Sequence, residues 1–136
     1  MNDVLLRRLP LLVVGLALII FPLGWLGELW QPFGLLIDRL FPTAWAHAVG
    51  HAGLFGLLGL LLLWMFPALR RWPVLYLVLL TAVGVCQEGG QALFKGSVLW
   101  FDSVRDIGTD LLGGVVALGL AWLVRASDGN RGPSPS

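Results

Sequence analysis

The stretch "AWAHAVGHAGLFGLLGLLLLWMF" at residues 44–66 decides the class of fold. A helix crosses a bilayer with roughly 20 mostly apolar residues, each adding about 1.5 Å against about 30 Å of hydrocarbon. This stretch is long and apolar enough. The rest of the 136-residue chain agrees: 57% is hydrophobic and 12% charged, with mean hydropathy +0.84. A soluble domain carries about 25% charged residues, so a membrane class comes first. The net charge of +1 offers no reason to expect nucleic acid. Cys86 stands alone and forms no disulfide within the chain. Seven Trp and 18 Gly suit a membrane protein, where Trp anchors at interfaces and Gly permits close helix contact.

Working outward from this stretch, three more segments predict spans, at about 10–30, 73–94 and 104–124. The expected fold is all-α: a polytopic membrane protein with a four-helix transmembrane bundle in one domain, 1–125. The run from Pro10 follows Arg7 and Arg8 like a signal peptide. It is long, is followed by bulky residues and lacks a small-residue cleavage site, so it reads as retained. Pro22 is expected to kink it. Pro32 and Pro42 bracket an amphipathic connector carrying Asp38 and Arg39, expected at the membrane surface. The tail at 126–136 is Gly/Pro/Ser-rich and predicts disorder.

Basic residues orient the bundle. Four spans place Arg7, Arg8, Arg70, Arg71, Arg125 and Arg131 on one side and Arg39, Lys95 and Arg105 on the other. The richer side is expected to be cytoplasmic, with both termini there. Trp25, Trp30, Trp45 and Trp100 then mark the outer interface, with Glu28 and Gln31 beside them.

The polar residues gather near that outer side. "GVCQEGGQALF" at 84–94 places Glu88 and Gln91 in the last turns of the third span. His47 and His51 open the second span, and Asp106 and Asp110 open the fourth. Measured from the expected span ends, His51, Glu88 and Asp110 each lie about 10 Å deep. Each pair shares a helix face, at i,i+4 or i,i+3. Gly50, Gly84, Gly113 and Gly114 beside them predict close helix approach. An ionisable group at the bilayer centre costs about 2.5–3.5 kcal/mol, so such residues normally face the bundle interior and mark function. The candidate ligand site is therefore His47, His51, Glu88, Gln91, Asp106 and Asp110. Asp106 has the plainer reading of a helix N-cap. Gln91 has that of an interhelical hydrogen bond, and Cys86 that of packing.

These residues resemble the VanZ-like family. The likeness lies in His51 followed by Phe55, Leu58 and Gly59, in "EGGQ" at 88–91, and in "DIGTDLLGG" at 106–114. The ordered set covers roughly 45–120. The chain departs from the family where His47 and Ala48 stand in place of Asp-Lys, and where Asp110 stands in place of Asn. Near Leu99 the family has an Arg; Lys95 or Arg105 is the substitute here. The resemblance implies a multi-pass protein of the bacterial inner membrane. It also implies antibiotic resistance at the cell envelope, since the family's namesake protects against teicoplanin.

The expected function is non-enzymatic: holding or shielding the headgroup of a lipid-linked envelope precursor or a lipoglycopeptide in the outer leaflet. Its partners are membrane lipids and such a headgroup, not nucleic acid. An alternative is an intramembrane enzyme modifying that headgroup. In this reading His47, His51, Glu88 and Asp110 make a Zn²⁺ set, although no nucleophile is evident. Helix-to-helix hydrogen bonding is the simpler role for these residues, and no cofactor is expected. A third alternative is a small transporter or proton pathway, against which the polar residues cluster in one leaflet.

Overall fold

The computed structural model describes residues 3–21, 23–95 and 100–129. Pro22, Leu99 and the tail beyond 129 lie outside the described residues, as do the side chains of Trp25, Lys95 and Trp100. The described residues are all-helical, with no strand. The order is α1 (Asp3–Ile20), α2 (Leu23–Leu29), α3 (Gln31–Leu40), α4 (Ala44–Met65), a 3₁₀ turn (Pro67–Arg71), α5 (Pro73–Lys95) and α6 (Trp100–Gly129).

Three of these helices are long and apolar enough to cross a membrane. Their apolar sections run over Ala44–Met65, Pro73–Leu93 and Ser103–Ser127, with mean hydropathies of 1.9, 1.4 and 1.8. The outward faces are apolar too: Leu57, Val74 and Val116 are 67%, 74% and 54% exposed. Such faces are costly in water and suited to hydrocarbon.

The bounds of α4 and α5 follow from local chemistry. The Thr43 side chain accepts from the Ala46 N–H at 3.1 Å and caps α4. Pro67 follows the end of α4, and Pro73 opens α5, where its missing N–H costs nothing. Elsewhere the expected bounds need correction. The first apolar run is not one helix over 10–30: α1 starts earlier, contains Pro10 and stops at Ile20, and α2 begins at Leu23. Three charged residues, Asp3, Arg7 and Arg8, also lie within α1. At its other end the chain exceeds expectation. α6 begins at Trp100, so Asp106 lies inside the helix instead of capping it, and residues 126–129 continue it.

Contacts fix the directions. His51 meets Asp110, Gly56 lies against Gly113, and Gly59 against Ala117, so α4 and α6 run parallel. Tyr76 and Leu80 meet Gly114 while Gly84 meets Asp110, so α5 runs antiparallel to α6. Arg8 reaches Trp64 and Gly15 lies against Leu61, so α1 runs antiparallel to α4. Its Ile20 end reaches Gly90 of α5.

The α4–α6 pairing is the most extensive in the molecule. It depends on missing side chains: a Cβ on Gly113 would overlap the Ala52 carbonyl oxygen. Small residues are how membrane helices gain dispersion contact without a hydrophobic driving force between them. The core around this seam holds Phe55, Leu58, Leu63, Tyr76, Leu80 and Leu118. Tyr76 is fully buried, and its hydroxyl donates to the Gly114 carbonyl at 2.9 Å. Gly59 leaves space for that hydroxyl, which a Cβ would overlap.

α2 and α3 form a helical hairpin joined at Gly27 and Gly34, where a Cβ on Gly34 would come within 2.8 Å of the Gly27 carbonyl oxygen. No α3 residue is buried, and Trp30 stacks on Phe33 at 6.2 Å. At its far end Phe41 packs on Gly50 of α4. The connector is thus an exposed amphipathic helix, as its sequence predicts.

Candidate functional site

The site is built where α4, α5 and α6 meet near the N-terminal ends of α4 and α6. His51 is seven residues along α4 from Ala44, and Asp110 ten along α6 from Trp100. Their direct contact means that α6 projects about one turn further than α4 at this end. His51 Nδ1 and Asp110 Oδ1 are 3.0 Å apart. Asp110 is 2% exposed and His51 18%. A carboxylate is seldom buried without a partner, and here the imidazole N–H supplies one.

The second oxygen, Asp110 Oδ2, is buried with no hydrogen-bond donor among the described residues. It points at α5, where a Cβ on Gly84 would lie 3.2 Å away. Phe55 and Ile107 form apolar walls around the same spot. Further along α5 lies Gln87, 8% exposed, whose Oε1 is also buried without a donor. Gln87 is three residues, less than one helical turn, beyond the Gly84 that faces Asp110.

The remaining candidates divide. Glu88 and Asp106 are half-buried and near enough to act coulombically on both His51 and Asp110. Arg105 is 3.5 Å from the Asp106 carboxylate. Gln91 is half-buried, one turn beyond Glu88. His47 is exposed and does not join the pair. Its Nδ1 lies 3.2 Å from the Thr43 carbonyl, and its ring tilts against Phe41. The zinc set of His47, His51, Glu88 and Asp110 is therefore not assembled, and no group of three or more metal-ligating residues occurs among the described residues.

Gln87 is the residue that sequence reasoning missed. The buried stripe of α5 runs through Tyr76, Leu80, Gly84 and Gln87, at steps of four, four and three. That periodicity was the available signal, and it puts Gln87 inward and Glu88 at the edge.

Chemically, the site is rich in acceptors. It offers two buried donorless oxygens and two nearby carboxylates, so it favours groups that donate hydrogen bonds, such as hydroxyls or ammonium. His51 also presents a second ring nitrogen. Nδ1 is engaged by Asp110, which leaves Nε2 as the nitrogen that the pair does not use. A carboxylate behind an imidazole fixes its tautomer and orientation.

Comparison with protein families, with curated proteins and with solved structures gives no match.

Proposed function

We propose that this is a four-span protein of the bacterial inner membrane that holds a donor-bearing headgroup in its outer leaflet, as the VanZ-like resemblance implies. The headgroup belongs to a lipid-linked envelope precursor or a lipoglycopeptide. The observation that carries this reading is the buried His51–Asp110 pair beside the donorless oxygens of Asp110 and Gln87. Sugar hydroxyls and amines of envelope precursors supply the donors that these oxygens accept. The pair lies among three helices of membrane length, and ionisable groups in such a setting normally serve function, which supports the reading.

Four spans are supported by α1. It runs beside the bundle from the Trp64 level to the Gly90 level. Arg7 and Arg8 at its start can snorkel to the interface. The concentration of Arg7, Arg8, Arg70, Arg71 and Arg125 at one end supports both termini in the cytoplasm and the His51 site outside.

The test is protection of a teicoplanin-sensitive bacterium expressing the chain. Wild type is expected to raise the tolerated concentration. Asp110→Asn and His51→Ala, at equal membrane levels, are expected to abolish the gain. Unchanged protection in both variants overturns the site.

A second reading draws on Nε2 of His51, the ring nitrogen that Asp110 does not engage. The Asp110–His51 pair has the arrangement of a general base oriented by a carboxylate. An intramembrane enzyme acting on the same headgroup would use it to take a proton from a substrate hydroxyl or water. Turnover of a short-chain lipid-linked sugar by wild type, lost in His51→Gln with binding retained, would favour this reading over simple holding.

A further inference from the structure

We propose that the opposite end of the bundle, between α4, α6 and the 3₁₀ turn, is a binding site for an anionic phospholipid. A cavity of about 730 Å³ opens there, with Arg70 and Arg125 at its polar side and Leu60, Trp64, Leu120 and Val124 among its apolar walls. Among the described residues, none that lines it is acidic. The site is separate from the His51 pair and does not rest on the reading above.

Arg70 shows why an anion fits. One of its terminal nitrogens donates to the Leu63 carbonyl at 3.5 Å, a backbone acceptor left over near the end of α4. Its Nε–H is buried with no acceptor. An orphaned buried donor is uncommon and costly, the more so on a charged group. Arg125 makes no ion pair among the described residues. A third cation lies at the same end of the bundle: the Arg8 guanidinium is 3.7 Å from the centre of the Trp64 ring. Guanidinium groups present planar, forked donors that match phosphate oxygens. Basic pockets between spans at a membrane face are a recurrent way of holding anionic headgroups.

The apolar part of a lipid also has a place. The cavity shares Leu60 and Leu120 with a second one of about 450 Å³, which continues between α4 and α6 to Trp45. Gly53 and Gly56 form part of its floor, and a Cβ on Gly53 would meet nothing within 4 Å. From Leu60 to Trp45 the groove runs about 22 Å along α4, more than the roughly 15 Å half-thickness of the hydrocarbon core. A phosphodiester between Arg70 and Arg125 therefore lies at the mouth of a channel deep enough for its own acyl chain.

The experiment titrates the delipidated full chain in detergent with phosphatidylglycerol or with phosphatidylcholine of the same chains, counting bound lipids by native mass spectrometry. Phosphatidylglycerol is expected to bind at least tenfold more tightly. Arg70→Gln and Arg125→Gln should each weaken it about fivefold and leave phosphatidylcholine unchanged. Arg71→Gln, outside the cavity, should do nothing. Leu120→Trp should weaken phosphatidylglycerol with both arginines intact, because it fills the channel. Equal binding of the two lipids overturns the proposal. So does an Arg71→Gln effect as large as that of Arg125→Gln, which would show diffuse surface attraction. Displacement of phosphatidylglycerol by millimolar inorganic phosphate, with no effect of Leu120→Trp, would show a free-phosphate site instead. If Arg70→Gln fails to fold through loss of its Leu63 bond, Arg125→Gln decides alone.

Discussion

Near one end of the bundle the buried atoms without partners are oxygens, Asp110 Oδ2 and Gln87 Oε1; near the other the corresponding atom is a nitrogen, Arg70 Nε. The same α4–α6 seam joins the two ends, and the same kinds of apolar residue flank them. What differs is the sign of the chemistry. The His51 end has acceptors and carboxylates in excess, so a phosphate there would meet repulsion from Glu88, Asp106 and Asp110. The Arg70 end has donors in excess and would bind such a phosphate. A small membrane protein with little net charge can thus present opposite preferences about 22 Å apart along α6, which its overall charge of +1 conceals.

The contrast is open to direct attack. His51→Ala should have the largest effect. Among the described residues it removes the one hydrogen-bond partner of a carboxylate that is 2% exposed, and breaking a buried pair from one side costs about 3–5 kcal/mol. The lower end of that range is expected, because Asp110 can take up a proton instead of remaining charged. Reversible unfolding in mixed detergent micelles measures the loss. Gly113→Val should follow, at up to about 3 kcal/mol, since its side chain would overlap the Ala52 carbonyl and force the parallel helices apart. This variant should weaken both ends together, which distinguishes damage to the seam from damage to one site. Asp110→Asn should cost about 1 kcal/mol. It keeps an oxygen for His51 and puts an amide donor where Oδ2 has none, so the gap between it and His51→Ala reports how much of the pair's energy is ionic. Tyr76→Phe should cost about 0.6 kcal/mol, the usual worth of a hydrogen bond between membrane helices. Arg125→Gln should change stability by less than about 0.5 kcal/mol while altering lipid binding. A larger loss of stability would mean that Arg125 supports the fold and would blur the contrast between the ends.

Much of this architecture was legible in the sequence. The α4 and α5 spans, expected at 44–66 and 73–94, differ by one residue from the observed Ala44–Met65 and Pro73–Lys95. Prolines at 67 and 73 bracket the basic turn between the two apolar runs and so mark where each ends. The run from Pro10 was harder, because hydropathy registers its length but not its division between α1 and α2. Of the candidate site, His51 and Asp110 were found by depth and helical spacing, and they meet. Depth alone could not place His47, one turn nearer the surface, because what turns it aside is the local Thr43 carbonyl and the Phe41 ring. Gln87 was passed over for its charged neighbour Glu88. A charge draws attention by its cost, but the register of Tyr76, Leu80 and Gly84 decides which of two adjacent side chains points inward. The parallel direction of α4 and α6 was readable, since both spans were expected to enter from the outer side, but the extent of their seam was not, because it depends on which small-residue faces find each other.

That pairing bears on how the chain is made. His51 leaves the ribosome 59 residues before Asp110, an interval of about 3–12 s at ordinary rates of synthesis. Throughout it the histidine must wait, because α5 comes between as the intervening insertion and carries no substitute carboxylate at the position of Gly84. A nascent chain halted before α6 would retain the imidazole without its counterpart, so arrival of the last helix is the event that commits the earlier ones.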